Sequence, residues 1–171
     1  MTSSKAVRAI ALISAWAMLA ASPAPAPFAT VVSECANPNL FTLPVALVDA
    51  PRVTLRLAVA EDEHTRELGL MCVTHLQART GMIFVFGHDD RWEFWMKNTL
   101  IPLDMVWVRP DGRVDAVAAR VPASTRATPD DKVARRTGRG VYVIELAPGE
   151  AAADGIVAGS TLKVPKGLAA R

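Results

Sequence analysis

The stretch FWMKNTLIPLDMVWV at residues 94–108 places two apolar runs on either side of a short turn. Side chains of an extended chain alternate between two faces, so Trp95 and Lys97 share one face and the residues between and beside them take the other. Both faces are largely apolar, which is typical of a strand in the middle of a sheet. After the turn, Asp104 shares a face with Val106. The stretch therefore predicts two strands in a sheet, and each carries a charged group that needs a compensating partner.

Similar apolar runs follow one another along the rest of the chain. Residues 53–60 alternate Val and Leu with smaller or polar side chains, the period of a half-buried strand. Further strands are predicted at residues 82–86, 93–97, 103–108, 113–121, 141–146 and 161–164. The sequence PDG at residues 110–112 suits a tight hairpin turn, and residues 61–71 and 148–155 have features of short helices. These patterns predict a mainly β fold, a compact β-sandwich or open barrel of short, mostly antiparallel strands with one or two short helices.

The first residues have the features of an export signal. Two basic residues precede an apolar run at residues 9–21, which is shorter than the roughly 20 residues that a membrane-spanning helix needs. We therefore expect a signal peptide at residues 1–22 and a periplasmic or secreted mature protein that meets a membrane only transiently. A Pro- and Ala-rich extended arm is expected at residues 23–50, with at most one short strand at residues 43–48, and it is followed by a single β domain at residues 51–166.

The charge of the mature protein is expected to be close to zero. Two of the 19 Lys and Arg residues, Lys5 and Arg8, lie in the predicted leader, and the remaining 17 match the 17 Asp and Glu residues. Because nucleic-acid binding calls for a basic face, a nucleic-acid partner is not expected. The more basic segment at residues 126–139 is interpreted as a solvated surface loop.

Two cysteines, Cys35 and Cys72, follow the predicted leader, and disulfides persist in exported proteins. A bridge between them would stabilise the fold by about 4 kcal/mol through the entropy of the unfolded chain. The alternative is one buried thiol and one thiol in the extended arm. The sequence leaves both possibilities open.

Two interpretations of Lys97 and Asp104 are open. In the structural interpretation, Asp104 caps the preceding turn, with donors from Lys97, Arg66 or the amides of that turn, and Lys97 extends its stem over apolar surface to reach water or an acid. In the functional interpretation, polar side chains wall an otherwise apolar pocket whose floor is Trp95 and Trp107. The predicted ligand-binding residues are Arg66, Trp95, Lys97, Asn98, Asp104 and Glu145.

Several motifs of the central block occur together in a known family. They are Arg-x-x-Gly-Leu-Met at residues 66–71, Gly-Met-x-Phe-x-Phe at 81–86, Phe-Trp-Met-Lys-Asn-Thr-x-x-Pro-Leu-Asp at 94–104, Asp-Gly at 111–112, and Val-x-Glu-Leu before a glycine at 143–149. On these motifs the chain resembles the domain of unknown function family DUF192. The resemblance implies a compact β domain, often exported, without an agreed activity. Cys72 and Val73 stand where the family commonly has an aromatic residue and an arginine.

Three classes of function are compatible with these features. The first is a non-catalytic binding or accessory module that receives a small molecule, a glycan or a protein segment in the pocket, without a cofactor. The second is a hydrolase or lyase with Asp104 as general base and Lys97 or Arg66 stabilising negative charge. The third is binding of copper(I), which thioether ligands favour. Four methionines fall in the central block: Met71, Met82, Met96 and Met105. Three histidines lack zinc-ligand spacing and are interpreted as surface residues: His64, His75 and His88.

Overall fold

The computed structural model describes residues 29–31, 37 and 42–168, and this part of the chain is mainly β. Its strands are β1 (Ala29–Val31), β2 (Val45–Asp49), β3 (Thr54–Ala60), β4 (Val73–Leu76), β5 (Thr80–Trp95), β6 (Leu103–Val108), β7 (Val114–Val121) and β8 (Arg135–Leu146). Its helices are α1 (Glu63–Leu68) and α2 (Glu150–Ala153), with a 3₁₀ turn at Asp130–Lys132.

Six strands within the described residues form one open mixed sheet, in the order β2-β3-β5-β8-β6-β7. Strands β3 and β5 run parallel, and the other neighbouring pairs are antiparallel. Strands β1 and β4 form a separate antiparallel pair. The mainly β class, with mostly antiparallel strands and short helices, is confirmed, and the sheet is not closed into a barrel.

Each face of the six-stranded sheet carries its own hydrophobic core, because the central strands are apolar on both sides. On the first face, Phe84 and Trp107 belong to one buried cluster. On the second face, Val106 and Ile144 pack in another cluster with Ile156 from the C-terminal segment. Burial on both faces explains why β6 and the inner halves of β5 and β8 read as nearly continuous apolar runs in the sequence.

The connection from β3 to the parallel strand β5 runs through α1 and β4 and covers the first face; we call it the crossover, residues 61–79. Helix α1 begins with a capping box, in which the carboxylate of Asp62 accepts a hydrogen bond from the Thr65 amide at 2.8 Å. The helix ends at Gly69, whose φ of 48° favours glycine. A side chain at this position would press on the Phe84 ring, so the turn lies close to the sheet. Leu70 then enters the core of the first face.

Two strands are longer than the sequence pattern predicted. The strand expected at residues 82–86 and the first part of the strand expected at 93–97 belong to the single strand β5, which ends at Trp95. The register of β5 with β8 shifts between Val85 and Asp90. Strand β8 begins at Arg135, inside the segment that was expected to be a surface loop. The outer halves of β5 and β8 pair with each other and carry mostly exposed side chains. Their polar composition therefore resembles that of a loop.

Strand β2 lies in the segment predicted as an extended arm, where it overlaps the one short strand expected at residues 43–48, and it pairs with β3 at the edge of the sheet. Residues 161–164 contribute isolated bridges, between Arg113 and Thr161 and between Asp49 and Lys163. The predicted signal peptide at residues 1–22 lies outside the described residues. None of the helices in the described part of the chain has the length and hydropathy of a membrane-crossing segment.

Candidate functional site

A small cavity opens on the first face of the sheet, where the crossover meets the end of β5. Its volume is about 30 Å³, which is close to the space of one water molecule. The crossover, the end of β5 with the turn after it, and β8 each contribute lining residues. Four of the predicted ligand-binding residues are among them: Arg66, Trp95, Lys97 and Glu145.

Glu145 contributes a buried carboxyl group to this cavity. Strand β8 places it beside Met82 of β5 and Met105 of β6, on the first face. The residue is only 5% exposed, and no described residue donates a hydrogen bond to its carboxyl oxygens. Burial raises the pKa of Glu145 to about 8, because water is removed from the charged form and nothing replaces it. At neutral pH the cavity therefore contains a largely protonated acid with unused hydrogen-bonding capacity.

The ring of Trp95 lies close to two cations at the rim of the cavity. Lys97 Nζ and Arg135 Cζ are each 5.0 Å from its centroid, within the range of cation–π attraction. Lys97 Nζ is also 3.1 Å from Asp130 Oδ1, and an Arg135 nitrogen is 2.8 Å from Glu93 Oε1. Both ion pairs are substantially exposed, so they contribute little stability. Lys97 thus reaches an acid across the surface, as the structural interpretation predicted, while it also lines the cavity.

Arg66 connects α1 to the sheet through hydrogen bonds. Its guanidinium donates to the carbonyl oxygens of Glu61 at 2.7 Å and Val85 at 3.1 Å. It also lies 5.4 Å from the centroid of the Phe86 ring. The positive charge of Arg66 is therefore engaged by backbone carbonyls and an aromatic ring.

A wider depression of about 220 Å³ continues from the cavity along the outer half of β5. We call it the aromatic groove; it is lined by Glu63, Arg66, Glu67, Phe86, Trp92, Glu93, Phe94 and Trp95. The Phe86 and Trp92 rings stack with centroids 3.9 Å apart and planes inclined by 14°. Trp92 is fixed further by its indole N–H, which donates to the Gly140 carbonyl at 2.9 Å. The cavity and the aromatic groove share Arg66, Glu67, Phe94 and Trp95, so they form one continuous surface.

Asp104 lies on the second face, away from the cavity. It is fully buried, and the register pairs it with Leu146, whereas Glu145 pairs with Met105 on the opposite side of the sheet. Its Oδ1 accepts from the Arg120 amide at 2.8 Å, and its Oδ2 accepts from the amides of Gly149 at 2.9 Å and Ala151 at 3.0 Å. The carboxylate thereby joins β6 to β7 and to the start of α2.

These contacts correct the expected surroundings of Asp104. Its donors are distant backbone amides, and neither Lys97, Arg66 nor the preceding turn supplies one. A general base has to reach the proton that it removes, and a carboxylate with no exposed surface cannot touch a substrate. The geometry therefore gives Asp104 a structural role and does not support the hydrolase or lyase alternative.

Asn98 and Trp107 are not among the residues that line the cavity. Asn98 adopts a φ of 51° in the turn after β5, and its carbonyl accepts from the Cys72 amide at 3.0 Å. Trp107 is 1% exposed and donates from its indole to the Trp92 carbonyl at 3.1 Å. Trp107 thus supports the aromatic groove from inside the core instead of forming a pocket floor.

The methionines mostly fill the core of the first face. Met82, Met96 and Met105 are almost completely buried in one cluster, where thioethers pack well beside aromatic rings, and Met71 lines the cavity. In the part of the chain that the structure describes, no group of three or more His, Cys, Asp or Glu residues could hold a metal ion. Copper binding stays an untested prediction.

A residue from the segment before the domain contacts the cavity wall. The Asn37 side chain is 4% exposed and donates to the carbonyls of Gly69 and Met71, both at 3.0 Å. Cys72 follows directly, is buried, and is not a free thiol. Cys35 lies outside the described residues, so its pairing with Cys72 stays a prediction.

Sequence reasoning did not identify Glu67, Phe86 or Trp92 as part of the site. The aromatic side chains recur at alternate positions on both sides of the β5 bulge, which was the available signal. That signal becomes visible only when the two runs are joined into one strand.

The chain belongs to the DUF192 family, described as "Uncharacterized ACR", whose profile matches residues 46–164. This confirms the resemblance drawn from the motifs. No curated protein matches the sequence.

Two solved structures resemble the fold. A protein of unknown function from Novosphingobium aromaticivorans DSM 12444 is 30% identical with a TM-score of 0.62, over 84% of this chain and 94% of its own. A Sinorhizobium meliloti 1021 protein, provisionally described as a transcription regulator, is 27% identical with a TM-score of 0.63, over 71% of this chain and 95% of its own.

Proposed function

We propose that this protein is an exported, non-catalytic binding domain that receives a small molecule, a glycan or a protein segment in the aromatic groove. One observation carries the proposal: the aromatic groove runs directly into a cavity that contains the buried, unpartnered carboxyl of Glu145. Ligand sites are typically concave, mainly apolar, and equipped with a few convergent polar groups. The groove offers stacked rings for apolar contact, and the cavity offers a polar group that fixes orientation.

The lining supports binding better than catalysis. Within the described residues that line the groove and cavity, the polar side chains are carboxyls, Arg66, Lys97 and Thr99. None of them forms the hydrogen-bonded pair of nucleophile and base that covalent catalysis requires. The described lining residues therefore favour binding over covalent catalysis.

The proposed location rests on the leader at residues 1–22, which combines basic residues with a short apolar run. An exported protein would be recovered outside the cytoplasm with a new N-terminus close to residue 23. Cell fractionation with N-terminal sequencing tests this, and an intact Met1 terminus on protein recovered from the cytoplasm would reject export.

Thermal shift over a panel of metabolites and glycans tests the binding role. A bound ligand raises the melting temperature of the wild type, by about 2–4 °C for 1 kcal/mol of binding linkage. We expect the shift of Lys97→Ala to differ from that of the wild type by at least half, because Lys97 lines the cavity. Lys132→Ala is the matched control, since Lys132 also pairs with an aspartate but lies outside the groove. A panel without any effect, or equal shifts in both variants, would reject the binding role.

A further inference from the structure

The charges around the aromatic groove differ in how they are compensated. Arg66 donates to two backbone carbonyls, Lys97 pairs with Asp130, and Arg135 pairs with Glu93. By contrast, Glu63, Glu67 and Glu145 have no ion pair or side-chain hydrogen bond with any described residue. The charges that remain available to a ligand are therefore carboxyls.

The cavity has the size of a small charged head group. Its volume of about 30 Å³ holds one water molecule or one group of similar size, such as a primary ammonium. A carboxylate on a residue that is only 5% exposed is unfavourable without a partner, and an inserted cation would supply that partner. The rings next to the cavity already attract cations of the protein, because Lys97, Arg135 and Arg66 lie 5.0 to 5.4 Å from ring centroids.

We infer that the site binds molecules with a primary ammonium group, which enters the cavity and pairs with Glu145 while the rest of the ligand lies along the aromatic groove. This names the ligand class of the proposed binding function and rests on that function. The ammonium would donate to the carboxylate oxygens, and the apolar body of the ligand would contact Phe86, Trp92 and Phe94.

Binding of this kind releases a proton. Burial raises the pKa of Glu145 to about 8, so the acid is largely protonated in the free protein at neutral pH and must ionise when the ammonium enters. The charged groups that face Glu145 in the cavity are Arg66 and Glu67 from α1 and Lys97 from the turn after β5. Its strand neighbours, Met82 and Met105, carry no charge.

The test titrates the ¹⁵N-labelled mature protein with 2-phenylethylamine, 2-phenylethanol and 3-phenylpropanoate, and follows the amides of the groove by NMR. The three probes share a ring and differ in the charge of the head group. At pH 8 we expect the amine to bind at least about tenfold more tightly than the alcohol or the carboxylate, as for a charge-assisted contact. Its affinity should rise about tenfold from pH 6 to pH 7 and level off above pH 8, because the ionised fraction of Glu145 follows that course while the amine stays protonated.

Two variants test whether Glu145 causes the preference for the amine. Glu145→Gln has the shape of the protonated acid and should bind the amine and the alcohol equally at every pH, and its binding of the alcohol confirms that the groove is folded. Asp111→Asn removes an exposed carboxylate that lies outside the groove and the cavity, and it should keep the preference for the amine within about threefold. A preference for the amine that persists in Glu145→Gln, or equal binding of all probes to the wild type, would overturn the ammonium assignment and leave the binding function standing. If no probe and no member of the wider panel perturbs the groove, the binding function itself fails.

Discussion

Replacing Asp104 by Asn tests the structural role of the buried carboxylate most directly. The wild-type side chain is fully buried and accepts three backbone amides, one at Oδ1 and two at Oδ2. Asn can keep one oxygen toward Gly149 and Ala151, but its NH₂ then faces the Arg120 amide, so two donors meet. We expect the substitution to lower the free energy of unfolding by about 2–4 kcal/mol. It removes one charge-assisted hydrogen bond, weakens two others and leaves a donor unsatisfied.

Urea denaturation followed by tryptophan fluorescence measures this loss, since a stability change moves the midpoint at constant slope. Asp111→Asn is the matched control: its carboxylate accepts one backbone amide, from Arg113 at 3.0 Å, in an exposed turn. We expect the control to lose about 0.5 kcal/mol, because water replaces an exposed contact. Equal losses in the two variants, or a loss below about 1 kcal/mol for Asp104→Asn, would refute the reasoning.

Two further predictions concern the other buried polar groups. The folded-state pKa of Glu145, about 8, lies above the ordinary value of 4.5, so the native protein holds the extra proton between these pH values. The contribution of Glu145 to the free energy of unfolding is then complete below pH 4.5, and it is lost as pH rises through 8, by up to about 1.4 kcal/mol per pH unit. The difference in unfolding free energy between wild type and Glu145→Gln should follow that course. A difference that does not depend on pH contradicts the prediction. If Cys35 and Cys72 form a bridge, a thiol assay on the urea-unfolded mature protein should find no free thiol. Reduction of the bridge should lower the free energy of unfolding by about 4 kcal/mol. Two reactive thiols in the absence of reductant would show that the bridge is absent.

The sequence predicted the elements that are buried on both faces of the sheet. Strand β6 occupies residues 103–108 as predicted, and Asp104 shares its face with Val106 in the structure. Helix α1 also formed where the acidic first turn and Gly69 placed it. These elements are specified locally, because hydrophobic period and capping residues lie within a few positions of one another.

The partners of the charged groups could not be predicted in the same way. The donors to Asp104 lie 16, 45 and 47 residues further along the chain, and only the strand register brings them together. Asp104 and Glu145 belong to adjacent strands yet point to opposite faces, because the register pairs Glu145 with Met105 and not with Asp104. A one-residue difference in register would have joined them in one pocket. The predicted site residues therefore divide between the two faces of the sheet. Glu145 lines the cavity on the first face, and Asp104 is buried on the second face, where it accepts hydrogen bonds from backbone amides.

The hydrogen bonds from Asn37 to the Gly69 and Met71 carbonyls bear on how this protein can be truncated. The family profile covers residues 46–164, so cutting the gene to those limits would delete Asn37 together with β1, the partner of β4. The shortened protein would keep the six-stranded sheet but lose the two Asn37 hydrogen bonds that hold the loop at the border of the cavity. Ligand screens are therefore better run on a version that starts ahead of Ala29 than on one cut to the family limits.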